Sequence, residues 1–181
     1  MANTKSPSSF LCLDLGTTTG FAYVNTKTKI VLSGILKNYK KTKDRPEEKF
    51  SVFYDNLERL FWAVDTRIDE IYYELPNFAS FKNQNITFNG LLGVLFCLGV
   101  KHSIDHYKTI APSTLKKTIT GNGMAKKEEV MEKCLELFPL LQLTDHNQAD
   151  ALAIAYYVNP NITKFKKRYK IVTASSDGGS D

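Results

Sequence analysis

The chain has 181 residues, of which 43% are hydrophobic and 24% are charged, and its formal net charge is +5. This composition is typical of one globular domain and excludes a chain that is disordered throughout. No apolar run reaches the roughly 18 residues of a membrane-spanning helix, so we expect no membrane span. The positive charge fits a polyanionic partner such as a nucleic acid, although charge alone does not establish one.

The N-terminus and the cysteines predict a reduced, cytoplasmic protein. Residues 1–9 lack the basic segment and apolar core of a secretory signal. The three cysteines are widely separated, which favours neither a disulfide framework nor a zinc site. We expect residues 1–9 to be flexible, one domain over residues 10–160, and a basic, then flexible, tail over residues 161–181.

Three apolar runs at the start of the domain, residues 10–15, 21–25 and 30–36, predict an antiparallel meander of strands. After a basic loop, a helix is predicted over residues 45–64. Two more strands are predicted at 68–74 and 105–110, and further helices at 89–102, at 113–119 with Ser113 as N-cap, at 126–137 and at 147–158. This order predicts an α/β fold with a mixed five-stranded sheet and helices on both faces.

Three acidic residues lie where a carboxylate needs an explanation. Asp14 lies near the end of the first strand, Glu74 ends the fourth, and Asp150 lies in an apolar helix. A carboxylate among apolar neighbours is unfavourable unless it is paired or binds a cation. If the three converge, their oxygens suit Mg²⁺ or Mn²⁺, and two such ions support attack of water on a phosphodiester. For any one acid alone, a cap or an ion pair is an equally simple explanation.

The helix around Asp150 adds two candidate ligands. At about 100° per residue, His146 and Asn147 share the face of Asp150. Asn147 can offer an amide oxygen to the same metal, and His146 a ring nitrogen, although His146 can also be an ordinary surface residue. Asp145 points away from this face and is a candidate N-cap.

Four segments, taken together and in this order, resemble the RuvC family of Holliday-junction resolvases, within the RNase H-like superfamily. They are Asp14-Leu-Gly16-Thr-Thr-Thr-Gly20, Tyr72-Tyr-Glu74, the basic stretch from Ala111 to Lys127, and Ala149-Asp150-Ala-Leu-Ala-Ile-Ala. The resemblance implies an RNase H-like fold and a structure-selective endonuclease that cuts four-way junctions, with activity on other branched DNA left open. It also implies a homodimer in the cytoplasm of a bacterial or phage-infected cell.

The resemblance assigns roles to individual residues. It implies that Asp14, Glu74 and Asp150 are catalytic and hold two Mg²⁺ ions, for which Mn²⁺ can substitute. Lys116 matches a catalytic basic position near the scissile phosphate, and Lys127 a DNA-binding one. Two neighbours, Lys117 and Lys126, can share the DNA-binding role. Asn147 departs from the aspartate that is usual in bacterial members, which leaves open whether Asn147, His146 or a water completes the second metal site.

Two aromatic residues, Phe78 and Phe81, follow the second acid, where the family stacks an aromatic ring on an unpaired base. Packing in the core or in a dimer contact explains them equally well. Two basic clusters, at residues 37–43 and 164–170, can neutralise phosphates of the DNA arms. The leucines of the predicted helix at 89–102 are either a dimer seam or part of the core.

Three other functions compete with the resolvase. The first is a nucleotide-binding domain of the actin and sugar-kinase type, whose phosphate loop is similar to Asp14–Gly20; no second phosphate loop is found. The second is a branched-DNA binder without catalytic activity, which the presence of all three acids disfavours. The third is a ribonuclease H, which the basic stretch around Lys116 disfavours.

Overall fold

A computed structural model describes residues 7–39, 45, 47–64, 67–75, 82–141, 143, 145–165 and 169–171, the backbone alone for residues 82–85 and 169–171. Phe78 and Phe81 lie outside the described residues, and so do most lysines of the two predicted basic clusters. The predicted flexible ends also lie largely outside them, and β-structure begins at Ser9. The roles predicted for these segments therefore stay predictions.

All five predicted strands are present in one mixed sheet, which also contains a sixth, short strand. The six strands are β1 (Ser9–Asp14), β2 (Thr18–Asn25), β3 (Ile30–Lys37), β4 (Glu70–Glu74), β5 (Tyr107–Ile110) and β6 (Tyr169–Ile171), in the spatial order β5-β4-β1-β2-β3-β6. β1 to β3 form the expected antiparallel meander, while β4 is parallel to both β1 and β5. The short β6, parallel to β3, was not predicted, because its three residues lie in a stretch dominated by basic residues.

Helices cover both faces of the sheet, as predicted. They are α1 (Glu48–Ala63), α2 (Lys82–Lys101), α3 (Pro112–Thr120), α4 (Lys127–Leu137) and α5 (His146–Val158), followed by a 3₁₀ turn at Pro160–Lys164. α2 begins seven residues before its predicted start at residue 89, since the polar stretch ahead of it contains no helix-breaking residue. Ser113 is not the N-cap of α3; Ala111 holds that position, and Pro112 starts the helix with its fixed φ angle.

Alternating side chains divide the sheet between two cores. Phe10 and Cys12 of β1 pack with α3, α4 and α5, whereas Leu11 and Leu13 pack with α1 and α2. Three of the four leucines of α2, Leu91, Leu95 and Leu98, are 0% exposed in the second core, so core packing explains them and they do not form a dimer seam. Folded structure also continues past residue 160, since Ile162 and Phe165 are buried in the first core.

Candidate active site

Asp14 and Glu74 lie side by side at the ends of two neighbouring parallel strands. Leu13 of β1 is paired with Tyr73 of β4, so the next residue on each strand is one of these acids. Glu74 is also paired with Ile110 of β5, which belongs to the core beneath α3, α4 and α5. Residues level with one another on neighbouring strands point to the same face, so both half-buried carboxylates point to the side of these helices.

The turn that follows Asp14 is fixed by buried polar contacts. Thr19 Oγ1 donates to the carbonyl of Gly16 at 3.0 Å. Asn38 Nδ2 donates to the same carbonyl at 2.9 Å and to Thr19 Oγ1 at 2.8 Å. Thr19 and Asn38 are both 0% exposed. The sequence analysis placed Asn38 in a basic loop and missed its structural role, because its lysine-rich surroundings give no sign of burial.

Asp150 reaches the same place because α5 packs unusually closely on β2. Gly20 is paired with Asp14, and a Cβ atom at Gly20 would lie 1.8 Å from the carbonyl oxygen of Asn147. Only a residue without a side chain allows that approach. On the next residue of α5, Gln148 Nε2 donates to Ser33 Oγ of β3 at 3.0 Å, and both side chains are buried. The first turn of α5 is therefore anchored across the meander.

The three carboxylates line one cavity of about 290 Å³. Two lysines and four apolar residues complete its walls: Lys116, Lys127, Pro112, Leu115, Val130 and Ala153. The predicted convergence of Asp14, Glu74 and Asp150 on one crevice is thus what the structure shows. Within the described part of the chain, however, no three His, Cys, Asp or Glu side chains are close enough to form an assembled metal centre.

Burial raises the pKa of all three carboxyl groups, and repulsion by the neighbouring acids of the cavity adds to the effect for Asp14 and Glu74. The pKa of Asp14 rises to about 7, first because the group is desolvated and then because Asp150 is close. The pKa of Glu74 rises to about 8 through burial and then through the charges of Asp14 and Asp150. Burial also raises the pKa of Asp150, against the opposing effect of nearby positive side chains. If all three acids were ionised, their three negative charges would exceed the two positive charges of Lys116 and Lys127, and the raised pKa values favour retained protons instead.

This charge imbalance fits a hard divalent cation. The three carboxylates supply only oxygen donors, which is the ligand type that Mg²⁺ and Mn²⁺ prefer. The ion pairs among the described residues include none between Lys116 or Lys127 and these acids. A bound cation would relieve the repulsion that raises the pKa values of Asp14 and Glu74, so the residues present fit the metal that the sequence predicts.

The four lysines of the basic stretch divide into two groups. Lys116, half-buried on α3, and Lys127, exposed at the first position of α4, both line the cavity. Their charges lower the pKa of Glu74, although burial and the neighbouring acids outweigh them. Lys117 and Lys126 are exposed and are not among the lining residues. The catalytic role of Lys116 and the DNA-binding roles of all four lysines stay predictions.

The first turn of α5 is arranged around Asp145, which is its N-cap as predicted. Asp145 Oδ1 accepts from the backbone N–H of Asn147 at 2.8 Å and from Asn147 Nδ2 at 2.7 Å. Neither Asn147 nor the exposed His146 is among the cavity-lining residues, so their metal roles stay predictions.

The charge of Asp145 also contributes to the site. After burial and the effects of other neighbours, it raises the pKa of both Asp14 and Asp150. The sequence analysis treated Asp145 only as a cap, although an acid five residues before Asp150 was a visible signal of further negative charge here.

A larger cavity, of about 580 Å³, lies at the other end of β4, near Trp62, Arg67 and His102. None of its described lining residues is an acid, so it cannot bind a hard cation through carboxylates. Chemistry therefore selects the smaller cavity as the candidate active site.

Comparison with known proteins identifies the family. The model described as crossover junction endodeoxyribonuclease RuvC matches residues 11–157. The chain belongs to the RuvC family. It is similar to the crossover junction endodeoxyribonuclease RuvC of Rickettsia akari (strain Hartford) and to that of Rickettsia typhi (strain ATCC VR-144 / Wilmington). To each it is 29% identical over 132 residues, which cover 72% of this chain and 81% of the relative.

Solved RuvC structures have the same fold. Thermus thermophilus RuvC in complex with a Holliday junction substrate matches with a TM-score of 0.63 and 19% identity, over 86% of this chain and 97% of that chain. A second Thermus thermophilus RuvC structure matches with a TM-score of 0.63 and 18% identity, over 85% and 97%. The predicted RNase H-like fold and RuvC family are confirmed, and the actin-type alternative is excluded. No helix among the described residues is long and apolar enough to cross a membrane.

Proposed function

We propose that this RuvC family member is a Mg²⁺-dependent endonuclease, with Mn²⁺ able to substitute, that resolves four-way DNA junctions by paired nicks. The observation that carries the proposal is the convergence of Asp14, Glu74 and Asp150 with two lysines in one cavity. A Thermus thermophilus relative has been solved with a Holliday junction substrate, which supports the same substrate class here. We infer that this protein acts on such DNA in the cytoplasm of a bacterial or phage-infected cell.

Each residue of the cavity has a task in this reaction. Two divalent ions held by Asp14, Glu74 and Asp150 would supply an activated water and stabilise the leaving 3′ oxygen. Lys116, half-buried in the wall, offers a positive charge to the negative charge that develops on the phosphate. Lys127, exposed at the rim, binds a backbone phosphate. The apolar walls Leu115 and Val130 limit access of bulk water, which strengthens these electrostatic interactions.

Asn147 and His146 are proposed to complete the second metal position. The amide nitrogen of Asn147 donates to Asp145, so the amide oxygen is the atom left to face a ligand. His146 is exposed beside Asp150 and offers a ring nitrogen. An amide in place of a carboxylate weakens the second ion's site by one negative charge, and Asp145 supplies negative charge nearby.

The DNA itself is proposed to lie along the exposed basic residues around the cavity. Lys117 and Lys126 flank the two cavity lysines and would neutralise further phosphates. Phe78 and Phe81 are proposed to stack on bases near the crossover, as in the sequence analysis.

A homodimer is proposed to pair through the outward face of α2. Opposite the buried leucines, this helix exposes Ile86 (63%), Phe96 (40%) and Val100 (80%). These residues recur at intervals of ten and four, which places them on one stripe of the helix. A two-fold axis along α2 would leave both carboxylate cavities at the same end of the dimer. That arrangement allows both subunits to cut one junction.

The experiment that tests the function is cleavage of an end-labelled synthetic four-way junction in Mg²⁺, beside linear duplex and a flap of matched sequence. We expect symmetric nicks in the junction that disappear without divalent ions and in the Asp150→Asn variant. Asp55→Asn, which changes an exposed acid on α1, is the matched control and should cut normally. Tight junction binding by the wild-type protein without any cutting in Mg²⁺ or Mn²⁺ would contradict the proposal and indicate a non-catalytic binder.

A further inference from the structure

The loop between α3 and α4 holds one apolar side chain out into solvent. Met124 is 89% exposed, more than any other large apolar residue in the described part of the chain. The next residue, Ala125, is 1% exposed and belongs to the core beneath α5. The loop therefore packs against the domain while its methionine points away from it.

Local hydrogen bonds fix the shape of this loop. Gly121 ends α3 with a φ angle of 81°, a value that favours glycine. Asn122 N–H donates to Thr120 Oγ1 at 3.1 Å, and Met124 N–H donates to Asn122 Oδ1 at 3.0 Å. Ala125 N–H donates to the carbonyl of Asn122 at 3.2 Å. Met124 is thus presented from an ordered turn, which limits the conformational entropy lost when it binds a partner.

The loop connects the two pairs of lysines at the candidate active site. Lys116 and Lys117 precede it, Lys126 and Lys127 follow it, and one member of each pair lines the carboxylate cavity. Three residues of chain span at most about 11 Å, so Met124 lies within that Cα distance of Lys127. None of the four lysines forms an ion pair among the described contacts, which leaves their charges available to phosphates.

We propose that Met124 is a DNA-contacting residue that packs as an apolar wedge against a base next to the phosphate that is cut. The proposal rests on the proposed nuclease function, because it needs DNA across the cavity. A single exposed apolar residue needs no explanation by itself. Here hydrogen bonds order the backbone of the loop that carries the residue, and this loop lies between lysines that would bind the DNA backbone on both sides, so a nucleotide bound across them would lie next to Met124.

The chemistry of methionine suits this role. Its side chain is flexible and polarizable, and apolar wedges of this kind can enter between bases and partly unstack them. The contact carries no charge and offers no hydrogen-bond pattern to read a particular base. It should therefore add affinity that does not depend on salt, and hold the scissile phosphate in register with the carboxylates.

The test compares Met124→Ala, Met124→Leu and Lys126→Ala, each combined with Asp150→Asn to prevent cutting. Binding of a labelled four-way junction is measured at several salt concentrations. The junction carries 2-aminopurine, a base analogue that fluoresces more strongly when it is unstacked, next to the mapped cut position. We expect Met124→Ala to weaken binding about 10-fold with an unchanged salt slope, in the range found for loss of one base contact. The fluorescence rise that reports unstacking should be lost in Met124→Ala and kept in Met124→Leu. Lys126→Ala should lower the salt slope by about 1.

Three results would overturn the wedge. One is unchanged affinity in Met124→Ala. Another is weaker binding with a smaller salt slope, which would make the effect electrostatic. The third is weaker binding without the fluorescence change. A different result would contradict the nuclease function itself: a wild-type protein that neither cuts the junction nor binds it better than linear duplex.

Discussion

Gly20 of β2 and Asn147 of α5 are in contact so close that a Cβ atom at Gly20 would lie 1.8 Å from the carbonyl oxygen of Asn147. This contact determines where the third acid of the site lies. Gly20 is paired with Asp14, and Asp150 lies one helical turn beyond Asn147. The distance between these two acids therefore depends on a residue that carries no functional group.

Gly20→Ala should displace α5 and cost both stability and activity. We expect about 1–3 kcal/mol of lost unfolding free energy, the usual cost of overpacking, and a larger proportional loss of junction cleavage. Urea denaturation and single-turnover cleavage measure the two effects. Asp55→Ala is the control for a neutral substitution to alanine, since Asp55 is an exposed residue of α1 and alanine favours a helix. Equal behaviour of the two variants would show that the contact does not constrain the site.

Without divalent ions, the protein should lose stability as the pH rises. Asp14 and Glu74 have pKa values raised to about 7 and about 8, so between pH 5 and pH 8 the folded chain holds more protons than the unfolded chain. The free energy of unfolding should fall across this window, by on the order of 1–3 kcal/mol after screening of these half-buried groups. Thermal unfolding in a chelator measures it.

Two further measurements test whether the carboxyl groups of the cavity cause this pH dependence: one uses the Asp14→Asn variant, and the other adds Mg²⁺. Asp14→Asn removes one titrating group and its repulsion of Glu74, so its stability should depend less on pH. Saturating Mg²⁺ should also flatten the dependence, because the ion binds the deprotonated carboxylates and displaces their protons. A wild-type protein that gains stability from pH 5 to pH 8 in chelator would contradict the raised pKa values.

Lys116→Ala should reduce the rate of cutting far more than the affinity for DNA. Lys116 lines the cavity, where its charge can act on the transition state, and loss of one such group typically costs about 100- to 1,000-fold in rate. Lys117→Ala is the matched control, since that lysine is exposed and does not line the cavity. It should weaken junction binding modestly and leave the single-turnover rate at saturating protein unchanged. Similar rates for both variants would remove Lys116 from the catalytic group.

Val100→Glu should disrupt the proposed homodimer without unfolding the chain. Val100 is 80% exposed on the outward stripe of α2, so a charge there costs little in an isolated subunit and much in an apolar interface. Sedimentation equilibrium should show a monomer, and junction cleavage should change from paired nicks to single nicks. Leu140→Glu, a substitution at an apolar residue that is 68% exposed elsewhere, is the control and should stay dimeric. A Val100→Glu dimer would exclude this face.

The sequence predicts the three acids of this site better than it predicts the residues that hold them in position. Alternation along β1 already separates Cys12 and Asp14 from Leu13, so the face of the first carboxylate follows from the period of a strand. The alanine-rich pattern around Asp150 likewise predicts a buried helix. Asn38 could not be predicted, because its burial depends on the turn at Gly16 folding back over it. The outward stripe of α2 was missed for a similar reason: the helix is apolar on more than one side, and only the packed structure tells which side is covered.

The anchoring of α5 by Gln148 and Ser33 has a consequence for the timing of activity during synthesis. Asp14 and Glu74 belong to segments that leave the ribosome early, whereas Asp150 arrives on the last long helix of the domain. Because α5 must dock across a completed meander, the nascent chain has no complete set of acids until nearly all of the domain has emerged. A chain cut short before α5 would lack Asp150, so under the proposed function it could not cut DNA.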